Sequence, residues 1–206
     1  MQPATEPEDG AVTERRRTVA VAGHTGDAAT ARAGLADPAA TVRATALGAL
    51  ERLGVLDRDD LTTGLGDADP SVRRRSAELA ATHPDVPVAE LLADPDPSVV
   101  EMTAWSLGER GESGAVAVLA RMVPAEGGHA DPLCREAAVA ALGAIGDPAG
   151  LPAVLAALAD KPAVRRRAAV ALAAFDGPEV EAALRRCLDD RDWQVRQVAE
   201  DLLAVD

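Results

Sequence analysis

Aromatic residues are almost missing from this 206-residue chain: it has no tyrosine, one phenylalanine (Phe175) and two tryptophans (Trp105 and Trp193). No segment alternates apolar and polar residues as a half-buried strand does, so a sheet is not expected. The apolar residues are mostly Ala, Leu and Val, which suits a core of many thin contacts between closely packed helices. Lysine is nearly absent too, Lys161 being the only one, and the basic residues are otherwise arginines. The two cysteines, Cys134 and Cys187, lie far apart without metal-like spacing, which suits a reducing cytoplasm. The N-terminus has no apolar run of the kind a signal peptide needs, and no stretch is long enough to span a bilayer, so no membrane role is expected. The formal net charge of −13 argues against general binding to nucleic acid or anionic membranes. No nucleotide loop, zinc cluster or nucleophile elbow is present, so no catalytic residue, metal site or cofactor is expected. His24, His83 and His129 fall in separate turns, where surface or capping roles suffice.

What the chain does have is a repeat. Leu35-Ala36-Asp37-Pro38 leads to Val42-Arg43 and on to Leu50. The pattern returns as Leu65-Gly66-Asp67-Ala68-Asp69-Pro70-Ser71-Val72-Arg73, and again from Leu92-Ala93-Asp94 to Val99, from Leu158-Ala159-Asp160 to Val164-Arg165, and from Leu188-Asp189-Asp190 to Val195-Arg196. Self-similarity at roughly thirty residues marks a stacked array, whose units share one continuous core. The Asp-Pro pairs are its punctuation. Proline cannot continue a first helix but fits the first turn of a second, and a neighbouring Asp or Ser can cap the free N–H groups.

The spacing predicts first helices near 27–36, 58–66, 86–93, 113–123, 149–159 and 178–188. It predicts second helices near 41–53, 71–82, 98–110, 132–145, 163–175 and 193–204. Gly54, Gly111, Gly146 and Gly177 sit where second helices should end. Residues 1–10, acidic and polar, are expected as a disordered tail, and 11–206 as a single solenoid domain. Glu14-Arg15-Arg16-Arg17-Thr18-Val19 aligns with Val164 to Ala169 and is expected as a lone second-type helix capping the stack. His83-Pro84-Asp85-Val86-Pro87 shortens the third repeat's first helix and is the place where the stack would break.

With each second helix numbered from its Val (Cys134 in the fourth repeat) as zero, positions 0, 4, 5 and 8 share one side and must be core. In the second repeat these are Val72, Ser76, Ala77 and Ala80; in the fifth, Val164, Ala168, Ala169 and Leu172. Position 1 is usually arginine: Arg43, Arg73, Arg135, Arg165 and Arg196. The expected partner is an aspartate of the preceding turn (Asp37, Asp67, Asp131, Asp160 or Asp190), giving a structural ladder that Val100 interrupts in the third repeat. Positions 2, 3, 6 and 10 lie opposite the core.

The unit of helix, Asp/Pro turn and Val-Arg helix resembles a HEAT repeat, of the short bacterial kind also found in phycobilisome-lyase-like proteins. Ala137-Ala138-Val139-Ala140-Ala141-Leu142-Gly143-Ala144-Ile145-Gly146-Asp147-Pro148 is close to that consensus, and the resemblance covers about residues 27–204. The fold expected is an all-α, right-handed solenoid of six helix pairs plus the capping helix. The resemblance implies that the second helices line a concave face and that the chain is a non-enzymatic, cytoplasmic scaffold or adaptor, monomeric, with another protein as partner. A DNA-alkylation-repeat glycosylase is also a helical solenoid with Trp, Arg and carboxylates in its concavity, and bilin-lyase-like proteins share the repeat. The acidic charge and scarcity of aromatics and lysine weigh against holding a duplex.

On that face the residues expected to bind are Arg74, Arg75 and Glu78 of the second repeat, Glu101, Trp105 and Glu109 of the third, and Arg166 and Arg167 of the fifth. Arginine pairs also stand at Arg16-Arg17 on the capping helix. Any solvated helix face carries charges that pair among themselves, as Arg74 could with Glu78. Trp105 opposite the core is either an interface anchor or a side chain folded down onto the adjacent repeat. Trp193 is expected as a lid on the C-terminal end.

Overall fold

The computed structural model describes residues 6–204, with side chains from Gly10 to Ala204. It is helical, with no strand among the described residues. Of the tail expected over residues 1–10, the first five lie outside the described residues, and Glu6–Gly10 form the opening turns of the first helix. The chain divides into two compact units, Met1–Val88 and Ala89–Asp206.

The first unit contains α1 (Glu6–Thr25), α2 (Ala28–Ala33), α3 (Ala40–Arg52), α4 (Arg58–Leu65) and α5 (Pro70–Leu79). Single 3-10 turns extend α2 over Gly34–Ala36 and α5 over Ala80–Thr82. The second unit contains α6 (Pro97–Glu109), α7 (Val116–Met122), α8 (Pro132–Ile145), α9 (Leu151–Ala157), α10 (Pro162–Ala171), α11 (Pro178–Cys187) and α12 (Trp193–Leu203). In the first unit α1, α3 and α5 pack side by side, with α2 and α4 behind them; in the second the row is α6, α8, α10, α12, with α7, α9 and α11 behind.

The punctuation works as its chemistry requires. Asp69, Asp96 and Asp131 cap α5, α6 and α8 by accepting from the backbone N–H of Ser71, Ser98 and Leu133, and proline follows each at the first helical position. Gly146 ends α8 in the left-handed conformation (φ 67°), its N–H donating to the Leu142 carbonyl. Gly177 does not end a second helix; it precedes Pro178 as the N-cap of α11.

One expected helix is absent. Where 86–93 was expected to be helical, only a five-residue 3-10 turn forms, over Ala89–Ala93. Pro84 and Pro87 donate no backbone hydrogen bond and push the residues before them out of the helical region. Val86 and Val88 are nonetheless fully buried, so the segment fills its share of the core without a helix.

Position zero of every second helix from α3 onward is at most 1% exposed: Val42, Val72, Val99, Cys134, Val164 and Val195. Between neighbouring second helices the contacts are made by glycine and alanine. A Cβ on Gly108 would sit 3.0 Å from the Ala141 Cα, and one on Gly143 would sit 2.7 Å from the Ala171 Cβ. Small residues therefore set the helix spacing, and bulky aromatics have no place there. The buried hydroxyls of Ser76 and Thr103, at position 4, donate to the carbonyls four residues back, Val72 and Val99.

The Arg–Asp ladder exists, but it runs the other way. Arg43 forks the carboxylate of Asp67, in the following turn, at 2.7 Å through both Nε and Nη2. Its Nη1 donates to the Asp37 and Pro38 carbonyls of the preceding turn. Arg15 likewise forks the carboxylate of Asp37, Arg135 that of Asp160 and Arg165 that of Asp190. Asp131, expected as a rung, is instead the N-cap of α8. The guanidinium explains the direction. Its own turn's carbonyls occupy one edge, and the remaining edge faces the neighbouring repeat. These guanidinium contacts hold the carboxyls of Asp37, Asp67, Asp160 and Asp190 below the usual carboxylate range.

The interruption at Val100 is matched. In the fourth repeat the residue whose carbonyl receives Arg135 Nη1 is His129, where the other turns have aspartate. Its Nδ1 accepts from the Asp131 N–H at 3.1 Å, as Asp37, Asp67, Asp94 and Asp190 accept two residues on. So where the arginine is lost the aspartate is lost too, and a histidine ring nitrogen takes over the turn's acceptor role.

Candidate binding surface

Positions 2, 3, 6 and 10 of the second helices form the exposed side of each unit's helix row. On α6 the faces separate sharply. Val99, Val100, Thr103, Ala104, Ser106, Leu107 and Gly108 are buried, while Glu101, Trp105 and Glu109 are exposed. Trp105 retains 44% of its surface, a large apolar side chain flanked by a carboxylate one turn to either side. Trp193, expected as a lid, is more exposed still at 65%; it begins α12, where little lies over it.

The arginines expected at the site are held differently from one another. Arg75, not Arg74, pairs with Glu78, at 2.9 Å. Arg74 is exposed and makes no hydrogen bond or ion pair among the described residues. In the second unit Arg167 reaches across from α10 to Glu136 of α8 at 3.3 Å. Arg166 turns toward α12, to Gln194 and to Asp192 at 3.5 Å. Glu101, Trp105 and Glu109 thus share one helix, and Arg166 and Arg167 share another, with α8 between them. Arg74, Arg75 and Glu78 belong to the first unit.

Two grooves lie on these rows. In the second unit a shallow one of about 310 Å³ runs between α8 and α10, floored by Ala140, Gly143, Ala144 and Ala171 and edged by Val170 and Arg167. In the first, one of about 330 Å³ lies between α1, α3 and α5, with His24, Thr45, Gly48, Arg52 and Arg75 in its walls. Of these only Arg75 was expected from the sequence. His24 belongs to the last turn of α1, not to a separate turn. Arg52 is at position 10, the end of a helix, and Gly48 contributes by having no side chain, so neither gave a signal.

Groups capable of covalent chemistry are quiet. Cys134 is buried, its thiol pointing at the Pro97 carbonyl, and burial aided by Asp131 and Glu101 pushes its pKa up to about 11. Burial also raises that of Cys187. Neither offers the thiolate a nucleophile needs. His83 pairs with Glu51 at 2.8 Å. Among the described residues no three His, Cys, Asp or Glu side chains could hold a metal together, and no helix is long and apolar enough to cross a membrane.

The sequence profile of HEAT repeats matches residues 58–128, 84–163 and 127–204, well over half of the chain. The chain is a HEAT-repeat protein. No curated protein matches its sequence. Solved structures share its fold: an engineered protein at 20% identity, covering 93% of this chain and 95% of that one with a TM-score of 0.57; and the YibA protein of Escherichia coli at 17% identity, covering 99% and 77% with a TM-score of 0.62. A designed armadillo-repeat protein in complex with a (KR)4 peptide is similar at 15% identity, covering 97% and 95% with a TM-score of 0.52. At these identities the likeness is one of fold. The helix pairs, the Asp/Pro turns and the Arg–Asp rungs are thus the HEAT architecture as this sequence builds it.

Proposed function

We propose that this HEAT-repeat protein is a non-enzymatic scaffold or adaptor that binds another protein through the exposed face of its second helices. In this reading the protein is monomeric and cytoplasmic. Trp105, between Glu101 and Glu109, is the apolar anchor, and Arg74, Arg75, Glu78, Arg166 and Arg167 supply charged contacts. The observation that carries it is the exposure of Trp105 on a helix whose Val99, Val100 and Leu107 are buried. Leaving 44% of a tryptophan in water is costly, and tryptophan is the residue type most enriched among interface hot spots. The designed armadillo-repeat protein, which holds a peptide, supports the use of such a repeat row for recognition.

The test pairs a binding measurement with a melt. Partners captured by tagged protein are identified by mass spectrometry and re-bound to purified wild type and Trp105→Ala. Loss of about 2 kcal/mol, roughly thirtyfold in affinity, with an unchanged melting temperature supports the anchor. A marked drop in melting temperature with binding intact in the folded fraction makes Trp105 a packing residue and removes the site. Base release from alkylated DNA, or bilin transfer, at catalytic rates would overturn the non-enzymatic reading.

A further inference from the structure

The groove between α1, α3 and α5 has a charge opposite to that of the chain around it. Positions 2, 3, 6 and 10 of these helices carry Arg16, Arg17, Arg52, Arg74 and Arg75, with His24 beside them and Glu78 as the sole carboxylate. The same positions of α6, α8, α10 and α12 carry Glu101, Glu109, Glu136 and Asp201 against Arg166 and Arg167. The basic row is therefore local, in a protein whose net charge is −13. Acids are plentiful enough that Arg15, Arg32, Arg43, Arg135 and Arg165 each find one. Among the described residues Arg16, Arg17, Arg52 and Arg74 do not. Glu51, next to Arg52 in the chain, is engaged by Thr82 and His83.

The groove is also shaped. A Cβ on Gly48 would stand 2.6 Å from Arg75 Nη2, so the guanidinium lies across the bare backbone of α3 while Glu78 holds Nη1 at 2.9 Å. Arg75 is thus fixed over a floor of Gly48, Thr45 and two alanines, with Arg52 and His24 lining the same cavity.

We propose that this groove binds an acidic segment of a partner protein, its carboxylates on Arg75 and Arg52 and on the rim arginines Arg74 and Arg17. This deepens, and rests on, the reading that the second-helix face recognises protein. Charge complementarity selects the occupant. A short acidic segment meets only the basic row, whereas a long polyanion also meets the acidic remainder of the molecule. The first unit holds no aromatic residue on which a base could stack, since Trp105, Trp193 and Phe175 all fall after Val88.

The probe is a fluorescent octapeptide of alternating Asp and Glu, titrated with the full-length chain by anisotropy. Asn/Gln and Lys/Arg octapeptides, a single-stranded DNA octamer and inorganic phosphate serve as competitors. Binding of the acidic peptide should weaken as salt rises and fall about tenfold or more in Arg52→Glu and Arg74→Glu. Arg186→Glu, an exposed charge-matched control in the second unit, should leave it unchanged. Gly48→Ala should lower affinity severalfold with an unaltered melt, because the added methyl meets only the far end of the Arg75 side chain and displaces its guanidinium from the groove floor. No binding of the acidic peptide, binding indifferent to Arg52→Glu and Arg74→Glu, or competition by DNA or phosphate at equal or lower concentration would each overturn the proposal. The assay needs no natural partner and does not involve Trp105, so its failure is distinct from failure of the anchor.

Discussion

Arg15 and Arg135 stand at the same position of equivalent helices and fork the same kind of carboxylate, yet the two arginines differ about ninefold in exposure and their aspartates about twofold. The Arg15–Asp37 side chains are 43% and 11% exposed, and those of Arg135–Asp160 are 5% each. Distances are alike, 2.7 and 3.1 Å in one and 2.7 and 2.8 Å in the other. Geometry alone therefore predicts equal contributions; desolvation predicts unequal ones. Arg15→Ala should cost about 1 kcal/mol or less, as exposed pairs do. Arg135→Ala leaves the Asp160 carboxylate buried with only the Lys161 N–H, and leaves the His129 and Ala130 carbonyls without their donor. That should cost about 3–5 kcal/mol. The joint change Arg135→Met with Asp160→Leu removes both charges and should recover most of the loss, because a buried pair contributes little net stability beyond an apolar replacement. Urea denaturation monitored by circular dichroism gives the three values at constant slope. Equal costs for Arg15→Ala and Arg135→Ala, or a double variant as unstable as the single, would refute the reasoning.

The four ladder aspartates, Asp37, Asp67, Asp160 and Asp190, have folded pKa values below their unfolded ones. Their stabilisation is complete above the ordinary carboxylate range near 4 and is lost as pH falls through the lowered folded values, so denaturant midpoints should drop steeply below about pH 4 and less steeply in Arg135→Met. Val100→Arg alone buries a charge without a partner and should be destabilising by more than 2 kcal/mol, while Val100→Arg with His129→Asp rebuilds a rung and should recover at least 1 kcal/mol of that in a double-mutant cycle. Gly143→Val, whose Cβ would meet Ala171 at 2.7 Å, should force α8 and α10 apart and lower stability by about 1–3 kcal/mol. Asp131→Ala removes the cap of α8 and should cost about 1 kcal/mol, read in the same urea titration.

The starts of the second helices were legible to within one residue because two independent signals coincide. Asp-Pro marks the start chemically, and the valine at position zero marks the buried stripe. The missing helix before Ala89 shows the limit. Val88, Leu91 and Leu92 supply the i, i+3, i+4 spacing of a helix, and Val88 and Leu92 are buried as it implies, while Pro84 and Pro87 deny the backbone; the pattern records burial, not conformation. The ladder's direction was not legible, since every arginine has an aspartate on either side in sequence. What selects the following one is that the carbonyls of the preceding turn already fill one edge of the guanidinium. Of the binding surface, Trp105 and the arginine pairs could be read from period alone. The pairing of Arg75 rather than Arg74 with Glu78, and the groove opened by Gly48, depend on where side chains lie.

The paired replacement of Val100 and His129 has a bearing on how the repeats may be ordered. Repeats whose turns offer aspartate and whose second helices offer arginine are mutually compatible in any sequence. The third and fourth are not: moved elsewhere, His129 would face an arginine that expects a carboxylate, and Val100 would leave an aspartate facing aliphatic carbon. A shuffled chain would keep every helix and every valine and still carry two mismatched joints. One joint without the Arg–Asp fork thus acts as a key, holding the third and fourth repeats in succession within an otherwise interchangeable array.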